Sequence, residues 1–327
     1  MMWKPKRTLR SHLDAARCMA FDRTGLAIVS GSDDCTVKLW RLNPVSISNP
    51  SSWPETEPQI TYRGHSATVT SVAISNSPPR IYSASLDSTV MVWSLPTPEH
   101  ETYAPFDSRS LLSTFIGHTD GIWDMVLLPL RLRDEALLAT ISADGTIKVW
   151  STDELNSPLK LMKITPTCLA VVWSDLKKVA VGFNNSVIKV YELENGKMMM
   201  RLKSDENGTT NTQVNCIITH PTLPLLISAH EDGYIRLFDL NTGACTHSMI
   251  AHLDSITSLS IDPTGLSLVS GGHDCSIRFW DLTGSRTCLQ EISSHRLKSN
   301  EGVLDVIYHP VLPFVASSGA DGTVKVF

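Results

Sequence analysis

No stretch of the 327 residues comes near the roughly 20 consecutive apolar positions that a membrane-crossing helix needs. Met1-Met2-Trp3-Lys4 also lacks the basic-then-apolar order of a secretory leader. Direct membrane insertion is therefore not expected. The seven cysteines (Cys18, Cys35, Cys168, Cys216, Cys245, Cys275, Cys288) are odd in number and show no Cys-x-x-Cys spacing. That argues against a disulfide framework and a zinc ribbon, and for free thiols in a reducing, cytoplasmic setting. Basic residues form no cluster, and a net charge of −5 with a pI near 6.1 gives no electrostatic footprint for nucleic acid. There is no glycine-rich phosphate loop, since Gly271-Gly272 opens no helix. His230-Glu231-Asp232 and His273-Asp274 are not joined by further ligands at metal-site spacing. Neither a metal nor a cofactor is expected.

What the chain does have is repetition. Ser30-Gly31-Ser32-Asp33-Asp34-Cys35-Thr36-Val37-Lys38-Leu39-Trp40 returns as Ser83 to Trp93, Thr140 to Trp150 and Ser270 to Trp280. Weaker copies run from Val181 to Tyr191, Ser228 to Phe238 and Ser317 to Phe327. In each, an Asp (Asn185 once) precedes the closing aromatic by six positions, and the aromatics follow at intervals of 53, 57, 41, 47, 42 and 47 residues. A fixed unit of this length marks a repeat architecture. Each copy reads as a hairpin: an apolar run such as Leu26-Ala27-Ile28-Val29, a polar turn, then a β-branched alternation. The turn is Asp-Gly at Asp144-Gly145, Asp232-Gly233 and Asp321-Gly322, a pairing favoured where the backbone must take φ > 0. A third alternating run (Val69 to Ile74) and a fourth (Gln59 to Arg63) complete a four-stranded unit. Seven such units predict an all-β, seven-bladed β-propeller formed as one domain over residues 1–327.

Arg63-Gly64-His65 with Val92-Trp93, and Ile116-Gly117-His118 with Val149-Trp150, resemble the Gly-His and Trp-Asp signatures of WD40 proteins. That resemblance implies ring closure by the N-terminal strand: the last unit ends on its third strand at Phe327, and the segment at about 4–11, centred on Lys6-Arg7-Thr8-Leu9-Arg10, supplies the fourth. It also gives a meaning to four sets in fixed order: His12, Ser30, Asp34, Trp40; His65, Ser83, Asp87, Trp93; His118, Thr140, Asp144, Trp150; and His252, Ser270, Asp274, Trp280. Ser, His and Asp together invite a hydrolase reading. An active site occurs once, however, and these sets recur in blade after blade. The resemblance implies a buried hydrogen-bonded tetrad, a structural device that fixes turn, loop and indole together. No catalytic residue is assigned. The unit closing at Tyr191 has Asn185 and Val181 and lacks Gly-His. The unit closing at Phe238 keeps Ser228 and Asp232 but also lacks Gly-His. Both are expected to rely on apolar packing alone. The last unit keeps His295, Ser317 and Asp321, with Phe327 for the tryptophan.

More particular wording resembles the striatin family: Trp3 to His12, His220-Pro221-Thr222-Leu223-Pro224, Ser228 to Asp232, Ala251 to Leu259, Ser270 to Arg278, and Ala316 to Asp321. The resemblance spans the chain and is weaker between Asn43 and Lys203. It implies a regulatory and scaffolding subunit of protein phosphatase 2A, in the striatin-interacting phosphatase and kinase complex. The implied partners are the phosphatase scaffold and catalytic subunits, germinal-centre-type kinases, and Mob-like and other adaptors. Contact with endomembranes or the nuclear envelope would come through such partners. Calmodulin binding and coiled-coil oligomerisation belong, in that family, to segments upstream of the propeller, and a start at the blade-closing strand suggests a domain cut from a longer protein. Two readings stand beside this one: another WD40 adaptor, such as a ubiquitin-ligase substrate receptor, and a propeller enzyme, which a lone perturbed carboxylate at the channel mouth would support.

Loops on a rigid scaffold are where binding concentrates. The positions next to each Asp turn and just after each His supply Asp14, Arg17, Asp33, Asp120, Trp123, Asn184, Glu231, Asp254 and His273. Acids outnumber bases there, so this face is expected to hold a basic or mixed-charge peptide around an aromatic anchor. The polar stretches 43–58, 96–110 and 203–212 read as solvated loops, candidates for docking or phosphorylation.

Overall fold

The computed structural model describes residues 2–42, 56–97, 102, 107–128, 137–152, 158–163, 167–171, 178–193, 195–203 and 212–327, with 158–163 and 169–171 as backbone alone. Most of the three polar stretches, 43–55, 98–106 apart from Thr102, and 204–211, lies outside the described residues.

The repeat unit becomes a four-stranded antiparallel sheet, and seven sheets make the molecule. Blade 1 runs β2 (Ala16–Phe21), β3 (Ala27–Ser32), β4 (Thr36–Arg41) and β5 (Ile60–Arg63). Blade 2 is β6 (Val69–Asn76), β7 (Pro79–Ser85), β8 (Thr89–Ser94) and β9 (Leu111–Ile116). Blade 3 is β10 (Ile122–Leu128), β11 (Leu137–Ser142), β12 (Thr146–Ser151) and β13 (Pro158–Lys163). Blade 4 is β14 (Cys168–Val171), β15 (Lys178–Gly182), β16 (Val187–Glu192) and β17 (Met198–Lys203). Blade 5 is β18 (Val214–Thr219), β19 (Leu225–His230), β20 (Tyr234–Asp239) and β21 (Cys245–Ile250). Blade 6 is β22 (Ile256–Ile261), β23 (Ser267–Gly272), β24 (Ser276–Asp281) and β25 (Cys288–Ser293). Blade 7 takes β26 (Val303–Tyr308), β27 (Val315–Gly319) and β28 (Thr323–Val326) from the end of the chain and β1 (Arg7–Arg10) from its start.

That last pairing closes the ring. Arg7 opposes Val326 and Arg10 opposes Thr323, so β28 is paired on both sides and β1 becomes the outer strand of the blade, as β5 is of blade 1. Residues ahead of β1 cross onto blade 6: Gln290 and the Trp3 backbone exchange two hydrogen bonds of 2.7 Å. The Trp3 indole stacks on Phe279 with centroids 5.3 Å apart.

The innermost strands β2, β6, β10, β14, β18, β22 and β26 neighbour one another in that cyclic order around a central channel. Among the described residues there is no single core. Seven apolar clusters each lie between two consecutive blades; one joins Leu9 and Val324 of blade 7 to Met19, Ile28 and Trp40 of blade 1. The closing aromatics Trp40, Trp93, Trp150, Tyr191, Phe238, Trp280 and Phe327 are all buried in them. This explains why the interval between aromatics varies while their identity as large side chains does not: loops absorb length, and each seam needs one wide filler.

Two backbone features set the turn-bearing face. The residue after the turn Asp, or after Asn185 in blade 4, has positive φ in all seven blades: Cys35, Ser88, Gly145, Ser186, Gly233, Cys275 and Gly322, between 60° and 76°. Glycine adopts this without steric cost and the other four do not, so the Asp-Gly signal marks three of seven equivalent turns. Every innermost strand except β14 carries a bulge one residue in, at Arg17, Thr70, Trp123, Asn215, Thr257 and Leu304. A bulge re-aims its side chain, and here it delivers Arg17 and Trp123 to the channel mouth.

Candidate interaction face and the bond network beneath it

Under the face, each His, Ser/Thr, Asp and Trp set is one hydrogen-bonded chain. Trp40 Nε1 donates to Ser30 Oγ at 2.9 Å, and Ser30 Oγ lies 2.7 Å from His12 Nε2. His12 Nδ1 reaches Asp34 Oδ2 at 3.0 Å. The same order holds for Trp93, Ser83, His65 and Asp87 (2.8 Å throughout), for Trp150, Thr140, His118 and Asp144 (2.9, 2.8 and 2.8 Å), and for Trp280, Ser270, His252 and Asp274 (2.9, 2.7 and 3.0 Å). Blade 7 keeps His295 between Asp321 (2.9 Å) and Ser317 (2.7 Å). One tautomer satisfies every member: a neutral imidazole donates Nδ1–H to the carboxylate and accepts the hydroxyl proton at Nε2, while the hydroxyl oxygen accepts from the indole. Burial favours that neutral form, lowering the pKa of His12, His118 and His295 against the opposing pull of their carboxylates.

Each Asp does more than hold its histidine. Asp34 also accepts from Thr36 N (2.9 Å), Thr36 Oγ1 (2.5 Å) and Leu13 N (3.0 Å), and equivalents occur at Asp87, Asp144, Asp274 and Asp321. Burial pushes these carboxyls up. The donors outweigh it, holding Asp144 at about 2 and the other four well below the usual carboxylate range. The turn is thereby tied to the loop that follows each histidine.

A further member lies four residues after the turn Asp: Lys38, Lys148, Lys189, Arg236, Arg278 and Lys325 in six of the seven blades, with Met91 in blade 2. Lys148 donates to Gly117 O, Arg278 to Ala251 O and Lys325 to Ser294 O, each a carbonyl just before the loop histidine. Sequence reasoning passed over this position, although a base at a constant offset in six repeats is a legible signal.

The expectation that blades 4 and 5 rest on apolar packing alone is overturned. In blade 5, His230, from the strand itself, places Nε2 2.7 Å from Ser228 Oγ, and Arg236 grips Asp232 through Nη1 (3.2 Å) and Nη2 (2.6 Å). Burial takes the His230 pKa down to about 3. A second imidazole two residues from the serine thus replaces the missing loop histidine, and a guanidinium replaces its bond to the carboxylate. In blade 4, Ser186 Oγ donates to Thr212 O and accepts from Thr212 N, both at 2.8 Å, while Asn185 is exposed.

The nine candidate face residues divide. Arg17 is held by Asp33 in a two-pronged pair (2.8 and 2.7 Å) and by Glu301 (2.9 Å), which raise its pKa above the ordinary value. Asp14 accepts from Lys298 Nζ at 2.7 Å, which lowers its pKa. His273 is half-buried and accepts at Nδ1 from Gly302 N (3.4 Å). Asn184, Asp120, Glu231 and Asp254 are exposed; Asp120 and Asp254 cap their own loops through Gly121 N and Ser255 N, both 2.7 Å. Trp123 is 49% exposed. Asp120, Glu231, Asp254 and Trp123 are therefore open to a partner, whereas Arg17, Asp33 and Asp14 are engaged within the protein.

Below the mouth a cavity of about 210 Å³ is walled by the innermost strands, with Asp124 and Asp305 among its lining. Asp305 is the perturbed carboxylate that an enzyme reading asks for: enclosure by protein raises its pKa to about 6. Its oxygens, however, accept from Ser258 Oγ (2.7 Å) on blade 6 and Met19 N (2.8 Å) on blade 1. Such a group ties blades 6, 7 and 1 together through bonds that recruit its oxygens as acceptors. Among the described residues no three His, Cys, Asp or Glu side chains converge as metal ligands.

Comparison with known proteins agrees with this geometry. A profile for the WD domain, G-beta repeat, matches residues 3–41, 56–94, 109–151, 201–239, 243–281 and 286–327. Blade 4, whose network departs furthest, falls between the third and fourth matches but for the last residues of β17. Striatin-3 of Rattus norvegicus is 39% identical over 99% of the chain, and the chain spans 41% of that protein. Striatin of Homo sapiens is 38% identical over 99% of the chain, which spans 42% of it. Striatin-4 of Homo sapiens is 36% identical over 99%, spanning 43%. The chain thus covers well under half the length of these relatives. With seven blades, the recurring tetrads and this likeness across nearly every residue, the chain belongs to the WD40-repeat family and is a WD40 propeller of the striatin type.

Proposed function

We propose that this propeller is a non-catalytic protein-interaction module, part of a regulatory and scaffolding subunit that brings protein phosphatase 2A together with kinases and adaptors. The observation that carries the reading is the division just described: a rigid face, bonded from beneath in blade after blade, leaves three exposed acids, two of them capping only their own loops, and one half-exposed tryptophan. The acids steer and orient a basic or mixed-charge peptide, and Trp123 supplies rigid apolar area. Likeness to the striatins supports the phosphatase and kinase assembly as the setting, in the cytoplasm.

The test uses the propeller as bait in cell extract, with captured proteins identified by mass spectrometry. Phosphatase-complex subunits, germinal-centre-type kinases or Mob-like proteins are expected on the wild type. They should be depleted on Asp120→Asn/Glu231→Gln/Asp254→Asn, whose melting temperature should match the wild type because Asn keeps the Oδ1 that accepts from Gly121 N and Ser255 N. Undiminished capture by the triple variant would retire the face as the binding surface.

A further inference from the structure

Beside its free acids the turn-bearing face holds an apolar sector in which the charges cancel. Leu13 and Leu253 occupy the same repeat position, directly after His12 and His252, and each is 90% exposed. Leu297, two residues after His295, is 59% exposed. The three stand on the loops leading into blades 1, 6 and 7, consecutive in the ring. Single exposed leucines are ordinary on a protein surface; three on adjacent loops of one face are not.

Their outward aim is built in. The Leu13 and Leu253 backbone N–H groups donate to Asp34 and Asp274 at 3.0 and 3.2 Å, so each loop is held by the tetrad below it. Leu297 is placed by a miniature hairpin. Lys298 and Glu301 exchange backbone hydrogen bonds of 3.0 and 2.9 Å around Ser299 and Asn300, both at positive φ. That hairpin reaches over to blade 1, where Lys298 takes Asp14 and Glu301 takes Arg17, which also holds Asp33. With Arg296 exposed beside them, three bases stand against three acids, and the sector sums to zero. Glu231 and Asp254, at the blade 5 and 6 end, have no cation partner among the described residues.

We infer that this sector is a docking platform for a protein segment that lays aliphatic side chains along Leu253, Leu297 and Leu13 and places a basic residue at the blade 5 end, against Glu231 and Asp254. This rests on the reading of the face as a partner-binding surface. It adds which part of the face contributes apolar contact and in which direction the segment runs. The charge complement argues for the basic end. The cancelled charges argue for an apolar remainder, since an ionic partner would have to compete with pairs already formed. The tetrads and hairpin hold the platform in place before binding, so little order is lost when the segment docks.

The experiment pans a phage-displayed library of random short peptides on the intact chain. Binding of the enriched peptides is then compared between the wild type, Leu13→Ser/Leu253→Ser/Leu297→Ser and Glu231→Gln/Asp254→Asn. Enriched peptides should combine Leu, Ile or Val with Lys or Arg toward one end. They should weaken by about tenfold for each leucine removed, and by less, in a salt-dependent way, for the acid variant. Both variants should melt with the wild type. Peptides that bind the leucine variant normally but weaken on the acid variant would overturn the platform and leave the acidic face standing. Peptides indifferent to both would overturn both. Sedimentation velocity and phosphatidylcholine-vesicle flotation complete the set: self-association or vesicle binding lost in the leucine variant would assign the sector to a second copy or a lipid surface, and the inference would fall.

Discussion

At the scale of the residue, the molecule's stability hangs on a few carboxylates that each serve several donors. Asp87 accepts from His65 Nδ1 (2.8 Å), Ser66 N (3.0 Å), Thr89 N (2.9 Å) and Thr89 Oγ1 (2.6 Å). Asp87→Ala strips an acceptor from all four, and a buried donor left without a partner costs about 1–3 kcal/mol. Because the four act as one unit the losses do not add, and about 3–5 kcal/mol is expected. Trp93→Phe removes one donor, Nε1–H, and part of a ring, a change blade 7 makes naturally with Phe327; about 1–2 kcal/mol is expected. Asn185→Ala, at the equivalent of Asp87 in blade 4, touches an exposed side chain and should stay within about 0.5 kcal/mol. Urea unfolding of the three variants checks the order. Equal small losses would mean that the tetrad contributes packing and not polar satisfaction.

At the scale of the element, a second device appears on the face opposite the turns, where consecutive blades are latched through loops between their first two strands. His220, between β18 and β19, places Nε2 3.0 Å from Gly265 O on blade 6, while its Nδ1 accepts from Thr222 N (3.2 Å) and Leu223 N (3.0 Å). His309 repeats the arrangement from blade 7 to Gly25 O on blade 1. Gly265 sits at φ +77°, and a methyl group there would come 2.3 Å from His220 Cε1. Gly265→Ala should therefore lose stability twice, through backbone strain of about 1 kcal/mol and through collision with the ring. Only the collision is relieved when His220→Ala is added. A double-mutant cycle in thermal unfolding should accordingly give a favourable coupling of about 1 kcal/mol or more; strict additivity would remove the latch from the account. His220-Pro221-Thr222-Leu223-Pro224 was visible in the sequence as a word, while its counterpart His309-Pro310-Val311-Leu312-Pro313 was passed over; their partner carbonyls lie 45 and 284 positions away, and no local pattern points across that distance. The same limit explains the face. The tetrads were legible because each closes within one repeat at a fixed spacing. That Arg17 and Asp14 are engaged was not, because Glu301 and Lys298 reach them from the far end of the chain. His230 was hidden by a different cause: it fills the histidine role from a strand position where no other blade has a histidine.

At the scale of the whole ring, proton binding acts with opposite signs at the seams and in the channel. His12, His118, His230, His295 and His309 all have pKa values lowered chiefly by burial. Such a group stabilises the fold fully above its unfolded value of about 6.5, and the contribution is lost as pH falls through that value toward the folded one. The five tetrad aspartates are also lowered, but their unfolded reference of about 3.9 places their loss further into acid. Asp305 runs the other way. Its folded pKa, raised to about 6 by burial, means that its contribution is complete below about 3.9 and is lost as pH climbs through 6. Between pH 7 and pH 5, then, five histidines withdraw stability while one aspartate returns some. The histidines prevail by number, so the melting temperature should fall over that window, and fall faster below pH 4 when the tetrad carboxylates protonate. The opposition makes the channel carboxylate separately visible. Asp305→Asn removes the only one of these groups that gains on acidification, so the drop between pH 7 and pH 5 should steepen by about 1 kcal/mol relative to wild type, whatever the variant's stability at neutral pH. An unchanged slope would show that Asp305 titrates as an ordinary carboxylate and that its bonds to blades 6 and 1 hold the ring by geometry alone.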